Sequence, residues 1–256
     1  MQTHELARPD GMTIAFHEWS ADAPGTPVVL QHGYVADTEI NWVATGVVDA
    51  LVAAGRRVVG VDARGHGRSG TSPDSALYGE RTMSADVSAV ADALGLDEYH
   101  LVGYSMGAVI SLLAAGRDER VSRLVIGGVG AGVVEVGGVD TRALDRGVLA
   151  EALLDEGDLS GYPTEVLAFR QFADHLGSDR PSLAAQARVV HSGSAELERV
   201  TVPTLLLAGR DDPLAVRPEV LADALPDGTL VLVDGDHLGA VVAPEFGPSI
   251  VEFLGR

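Results

Sequence analysis

The chain contains no cysteine and no lysine among its 256 residues. Without thiols it cannot use a cysteine nucleophile, a thiolate metal site or a disulfide, and its redox compartment stays undetermined. Without lysine it cannot form a Schiff base with a carbonyl substrate. It also lacks an apolar run long enough to cross a bilayer, and residues 1–4 form no basic-then-apolar leader, so we expect a cytoplasmic protein.

Positive charge is scarce. The 18 basic residues are all arginine, and 37 acidic residues bring the net charge to −19. Because such a surface repels phosphates, we expect no nucleic-acid partner and no adhesion to an anionic membrane. The hydrophobic content of 46% is typical of a globular protein, and the length fits one large domain or one domain with an insertion. Nothing in the sequence indicates an oligomeric state.

Strands and helices alternate along most of the chain. Two short strands over 3–8 and 12–19, joined by a Pro-Asp-Gly turn, predict an antiparallel hairpin at a sheet edge. Six apolar strands follow, at 27–31, 57–62, 99–102, 121–127, 203–208 and 229–233. Helical spacing covers 39–54, 82–95, 108–115, 215–225 and 240–254. This pattern predicts an α/β fold, with an eight-stranded, mostly parallel sheet covered by helices on both faces.

Residues 131–196 interrupt the alternation with helix-like patterns and no clear strand. The interruption comes directly after a strand, where a substrate-covering segment can be inserted. We therefore predict a helical cap, or lid, over 131–196 and an α/β core formed by 1–130 and 197–256. An ordinary packed helical subdomain is the alternative interpretation.

The sequence Gly103-Tyr104-Ser105-Met106-Gly107 stands between a strand and a helix. A sharp turn of this kind exposes the Ser105 hydroxyl as a nucleophile, and two small flanking residues leave room for it. The amide of Met106, at the start of the helix, would point a donor at an oxyanion.

A serine nucleophile needs a base and an acid to orient that base. His237 follows the last strand and is the only histidine late in the chain. Asp211 and Asp212 follow the preceding strand, and their spacing does not decide between them. The chain order Ser, Asp, His, each after a strand, is that of the nucleophile-elbow hydrolases.

With these residues in order, the sequence resembles the α/β-hydrolase superfamily of esterases, haloperoxidases and C–C hydrolases over nearly its full length. The resemblance rests on five segments, at 32–34, 62–69, 103–107, 209–212 and 235–237. It implies that Asp212 is the acid and that the amide of Tyr34 joins that of Met106 in an oxyanion hole. It also implies that His32 supports this loop and is not a base. His66 and its neighbours are expected to stabilise the turn after the strand.

The resemblance therefore predicts hydrolysis of a small-to-medium carboxylic ester through an acyl-enzyme, with no cofactor and no metal. We expect Tyr34, Met106 and Leu238 to contact the substrate. The alternatives are a C–C hydrolase or a perhydrolase on the same triad, or a ligand receptor with slow or no turnover. A hydroxynitrile lyase is disfavoured because those enzymes use a lysine. Serine in place of aspartate at position 105 disfavours haloalkane dehalogenases and epoxide hydrolases.

Overall fold

A computed structural model describes residues 1–256 and contains one sheet of eight strands. The strands are β1 (Gln2–Ala7), β2 (Thr13–Trp19), β3 (Gly25–Gln31), β4 (Arg56–Val61), β5 (Tyr99–Tyr104), β6 (Val121–Gly127), β7 (Thr204–Gly209) and β8 (Gly228–Val233). Their order across the sheet is β1-β2-β4-β3-β5-β6-β7-β8. β2 pairs antiparallel with both β1 and β4, and all other pairs are parallel. The predicted fold class and edge hairpin are confirmed.

Nine α-helices connect or cover these strands: α1 (Val47–Ala53), α2 (Glu80–Ala93), α3 (Met106–Ala115), α4 (Ala131–Glu135), α5 (Arg146–Leu154), α6 (Thr164–Leu176), α7 (Arg180–Ala187), α8 (Pro218–Ala224) and α9 (Phe246–Leu254). Side chains of α2, α3 and α8 share one apolar cluster. Those of α1 and α9 belong to a second cluster, with different strand side chains. Because successive strand residues point to opposite faces, the two clusters lie on the two faces of the sheet. No helix is long and apolar enough to span a membrane.

Two predicted helices are each divided in the structure. In place of one helix over 39–54, a π-helical turn at Glu39–Val43 precedes α1, and Gly46 between them has a φ of 78°. In place of one helix over 240–254, a 3₁₀ turn at Ala240–Val242 precedes α9. Ala243 between them is extended, with a ψ of 140°, because the following proline disfavours the helical conformation.

Residues 131–196 contain α4 to α7 and no strand. Apolar side chains of α5, α6 and α7 join the cluster that α2 and α3 form with the sheet. The core is therefore continuous from the sheet into this helical segment. Its interpretation as a cap remains a proposal.

Candidate active site

The turn between β5 and α3 holds Ser105 in a conformation that few residues adopt. Its φ is 54° and its ψ is −116°, and only 6% of the residue is exposed. A Cβ on Gly103 would meet the carbonyl oxygen of Gly107, and a Cβ on Gly107 would lie 2.1 Å from that of Gln31. Both positions therefore require glycine for steric reasons.

The structure brings Ser105, His237 and Asp212 together at the carboxyl edge of the sheet. His237 Nε2 lies 3.0 Å from Ser105 Oγ, and His237 Nδ1 lies 2.9 Å from Asp212 Oδ2. Because a carboxylate only accepts hydrogen bonds, Nδ1 carries the proton and Nε2 is free to accept from the serine hydroxyl. This arrangement can withdraw a proton from Ser105 and stabilise the resulting imidazolium.

The two neighbouring aspartates have different surroundings. The Asp212 carboxylate is fully buried and also accepts a 2.8 Å hydrogen bond from the Leu214 N–H. Asp211 is exposed. The structure thus places Asp212, and not Asp211, against His237, a distinction that spacing alone could not make.

Tyr104, the residue before the serine, contacts His237 through both its hydroxyl and its ring. Its hydroxyl donates a 2.7 Å hydrogen bond to the His237 carbonyl oxygen, and the two rings lie 5.4 Å apart between centroids. Burial and the nearby Asp212 carboxylate raise the pKa of the Tyr104 phenol well above its usual range. The phenol therefore stays neutral and keeps donating to this carbonyl.

The loop after β3 lies beside Ser105. A Cβ on Gly33 would lie 3.5 Å from that of Ser105, and the Gly33 N–H donates a 2.8 Å hydrogen bond to Asn41 Oδ1. The next amide, that of Tyr34, donates to no group of the protein, and neither does that of Met106. Both amides are therefore available to an oxyanion bound at Ser105.

Two buried histidines fix this loop. His32 Nε2 accepts from the Ala63 N–H at 2.8 Å, so its Nδ1–H donates to the Gly33 carbonyl at 2.7 Å. His66 Nε2 accepts likewise from the Val35 N–H at 3.2 Å. Burial lowers the pKa of His32, and burial together with His32 lowers that of His66 to about 3. Both rings are therefore neutral, and because both nitrogens of each ring are already hydrogen-bonded, they hold the loop in position.

Residues of the segment 131–196 contact the side chains of Tyr34 and Met106, and we call the contacting residues Arg146, Leu183 and Gln186 the roof. The Tyr34 hydroxyl donates a 2.6 Å hydrogen bond to the Leu183 carbonyl of α7. Gln186, also on α7, donates its amide to the Met106 sulfur. The Arg146 guanidinium, at the start of α5, lies 5.5 Å from the centroid of the Tyr34 ring.

Sequence reasoning missed several residues of this site. Tyr104 is an unspecified position of the serine motif, and Asn41 lies eight residues beyond the glycine that it bonds. Arg146 and Gln186 had no local signal at all, because only the tertiary fold brings them to the core. Leu238, a predicted substrate contact, is 60% exposed, and its N–H donates to Asp236. Its role stays a prediction.

Comparisons with known proteins agree with this architecture. A model of the alpha/beta hydrolase fold family matches residues 26–132. The chain is 31% identical to a protein of Variovorax paradoxus (strain S110) named "Putative carbamate hydrolase RutD", over 94% of this chain and 96% of that one. It is 27% identical to the 2-hydroxy-6-oxononadienedioate/2-hydroxy-6-oxononatrienedioate hydrolase of Cupriavidus pinatubonensis (strain JMP 134 / LMG 1197), over 82% and 80%.

Among solved structures, that of a hydrolase from Pseudomonas aeruginosa PA01 superposes with a TM-score of 0.78 at 26% identity, covering 99% of this chain and 98% of the other. An esterase from Exiguobacterium antarcticum superposes with a TM-score of 0.73 at 22% identity, over 98% of this chain and 99% of the other, and shows the same fold. Together with the full-length match to the Variovorax relative, these likenesses confirm the resemblance to the α/β-hydrolase superfamily. The chain belongs to the alpha/beta hydrolase fold family.

Proposed function

We propose that this hydrolase cleaves a small-to-medium carboxylic ester through an acyl-enzyme formed on Ser105. The observation that carries the proposal is the pair of contacts at His237, 3.0 Å to the serine hydroxyl and 2.9 Å to the Asp212 carboxylate. Serine is a poor nucleophile unless a base takes its proton. His237 is oriented for that task, and Asp212 stabilises the imidazolium that results.

The acylation step follows from the positions of the donors. Ser105 Oγ attacks the ester carbonyl while its proton passes to His237 Nε2, and the carbonyl oxygen becomes an oxyanion. The free amides of Tyr34 and Met106 donate to it, and one such donor contributes about 3 kcal/mol to transition-state stabilisation. The tetrahedral intermediate collapses as His237 returns the proton to the departing alcohol.

Deacylation uses the same groups with water in place of the alcohol. His237 takes a proton from water, the hydroxide attacks the acyl carbonyl, and the carboxylic acid leaves as Ser105 recovers its proton. The small exposed fraction of Ser105, 6%, supports a substrate of modest size.

Hydrolysis of a C–C bond on the same triad is the second candidate. The Cupriavidus relative is named as a hydrolase of dienedioate and trienedioate compounds. The Variovorax relative, named for a carbamate, favours instead a carbonyl flanked by a heteroatom, as in an ester. The Variovorax relative is 31% identical over 94% of the chain and the Cupriavidus relative 27% over 82%, which supports the ester-like bond over the C–C bond.

The first experiment is turnover of p-nitrophenyl esters, from acetate to decanoate, by the wild type and by Ser105→Ala. We expect saturable wild-type turnover that the substitution removes, with a maximum at short or medium acyl length. Equal melting temperatures of the two proteins would show that the loss of turnover comes from the missing hydroxyl and not from unfolding. If no ester is turned over above background, the ester proposal fails. A β-diketone ring-cleavage product and hydrogen peroxide with acetate then test the C–C hydrolase and perhydrolase activities.

A ligand receptor on this fold would behave differently in the same assays. It would bind a ligand with turnover slower than dissociation, and Ser105→Ala would leave the affinity unchanged. Single-turnover mixing of enzyme in excess over p-nitrophenyl ester separates the cases. Release of nitrophenol in one rapid phase supports catalysis, whereas release slower than dissociation of the ester supports the receptor.

A further inference from the structure

Arg146 is a guanidinium without an acceptor. Its Nε is buried and forms no hydrogen bond, and the side chain takes part in no salt bridge. The neighbouring Arg142 shows the usual situation, since it contacts both Asp140 and Glu135 at 2.7 Å. Leaving a buried charged donor without a partner lowers the stability of a folded protein, so stability does not explain the presence of this arginine.

The surroundings of Arg146 do not supply a structural reason. The Tyr34 ring attracts the cation through its face, but it accepts no hydrogen bond from the buried Nε–H, which lies in the guanidinium plane. Glu80 is the nearby carboxylate, and it lies beyond salt-bridge distance and accepts a 2.7 Å hydrogen bond from the His191 N–H. Arg146 is also the first residue of α5, where the helix dipole disfavours positive charge.

A second unpaired polar atom lies in the same roof. Gln186 Oε1 is buried without a partner, although the amide nitrogen of the same side chain contacts Met106. Two roof side chains that contact Tyr34 and Met106, one cationic and one polar, thus each keep a buried atom without a hydrogen-bond partner. Buried groups of this kind are satisfied when a ligand brings complementary atoms.

We propose that Arg146 binds a carboxylate of the substrate, so that the preferred substrates are esters that carry a second, ionised carboxyl group. This proposal rests on the proposed ester hydrolysis and assigns its substrate class. A planar guanidinium donates two parallel hydrogen bonds to a carboxylate, which fixes the orientation of the substrate as well as its affinity. A localised cation is also what a protein of net charge −19 requires to attract an anion.

The test compares matched pairs of anionic and neutral esters. One pair has the charge on the acyl side: the p-nitrophenyl half-ester of adipic acid and its methyl-capped diester. The other has it on the alcohol side: 6-acetoxyhexanoate and its methyl ester. For the wild type we expect kcat/KM for at least one anionic ester to exceed that of its neutral partner by about tenfold or more.

Arg146→Met should lower that anionic-to-neutral ratio by at least about tenfold, whereas Arg188→Met, an exposed arginine on the same cap segment, should leave it unchanged. The ratio is the readout because a general disturbance of the site lowers both rates together. Equal wild-type rates on both members of both pairs, or an unchanged ratio in Arg146→Met, overturn the proposal.

Stability provides an independent readout. An arginine kept for a structural ion pair destabilises the fold when removed, whereas an unpaired one kept for a ligand does not. We therefore expect the melting temperature of Arg146→Met to equal or exceed that of the wild type. A clearly lower melting temperature would assign Arg146 to the support of α5 instead. Arg146→Gln gives the same comparison if the methionine variant does not fold.

Failure of the ester chemistry is distinguishable from failure of this inference. If neutral esters are hydrolysed but the Arg146 substitution does not alter selectivity, the proposed function stands and the inference falls. If no ester is turned over, calorimetric titration of monomethyl adipate into the wild type and Arg146→Met decides. Binding that is lost in the variant supports the carboxylate site, and absence of binding to the wild type overturns it.

Discussion

Asp211 and Asp212 are chemically identical neighbours that the fold separates by burial. We expect Asp212→Asn to lower kcat by a factor of the order of 10⁴, because an amide neither holds the correct histidine tautomer nor stabilises its charged form. Asp211→Asn removes the same charge from the exposed neighbouring position and should leave kcat within about twofold of the wild type. Steady-state kinetics on one ester compare the two variants. Equal losses in both would remove Asp212 from the proposed mechanism.

His66 couples the stability of the oxyanion loop to pH. Its folded pKa of about 3 lies below the usual 6.5, so the unfolded chain takes up a proton first as the pH falls. Stability is therefore complete above pH 6.5 and decreases below it, by about 2 kcal/mol at pH 5 from this residue.

Urea unfolding at pH 7 and pH 5 measures this dependence. In His66→Gln an amide oxygen can still accept from the Val35 N–H but does not titrate. We expect the difference between the two pH values to be smaller in the variant by about 2 kcal/mol, since His32 titrates in both proteins. Identical pH dependence in the two proteins would contradict the assignment.

At the scale of the element, the first turn of α3 packs so closely against the end of β3 that no added methyl group fits between them. Gly107→Ala would place its new methyl 2.1 Å from the Gln31 carbonyl oxygen, and this backbone atom belongs to a central strand. We expect a loss of about 3 kcal/mol in the free energy of unfolding, together with a displaced Ser105 and reduced kcat.

Gly247 offers a matched control for this substitution. It is also the second residue of a helix, α9, and a Cβ there meets nothing within 4 Å. Gly247→Ala should therefore stabilise the protein, by up to about 1 kcal/mol. Urea unfolding of both variants gives the comparison, and destabilisation by both would show that helix position rather than steric contact determines the effect.

The elements that sequence analysis predicted well are those with a strong local pattern. The strand leading to Ser105 is buried at every position, and parallel strands necessarily bring their carboxyl ends to one edge of the sheet. The predicted helix over 39–54 has suitable periodicity, yet Gly46 adopts a positive φ and ends the first turn. Periodicity indicates which face is buried, but it does not show where a backbone changes direction.

The residues of the candidate site likewise fall into those that a local pattern identifies and those that only tertiary packing brings there. Motifs identified Ser105 and His237 because each stands at a turn after a strand, and the family resemblance selected Asp212 over its neighbour. The roof could not be predicted, because the contacts of Arg146 and Gln186 with the core arise from the packing of α5 and α7. Only tertiary structure distinguishes Arg146, with its buried and unpaired Nε, from the other 17 arginines.

At the scale of the whole molecule, the net charge of −19 sets the response to salt. Repulsion among 37 acidic residues opposes the compact state, and about 0.5 M NaCl shortens the screening length to about 4 Å. We expect the melting temperature to rise between low salt and 0.5 M, and KCl at equal ionic strength to give the same rise. A melting temperature that falls with salt would show that the arginine ion pairs outweigh the repulsion.

Tyr34 has a consequence for exchanging parts between relatives. Its amide donates to no group of the protein, while its hydroxyl donates to the Leu183 carbonyl of α7. A chimera that received residues 131–196 from another family member would leave this phenol buried without an acceptor, at a cost of about 1–3 kcal/mol. The helical segment is therefore not a freely interchangeable module: any donor segment must bring a backbone carbonyl to the same point, or the recipient must exchange its tyrosine at the same time.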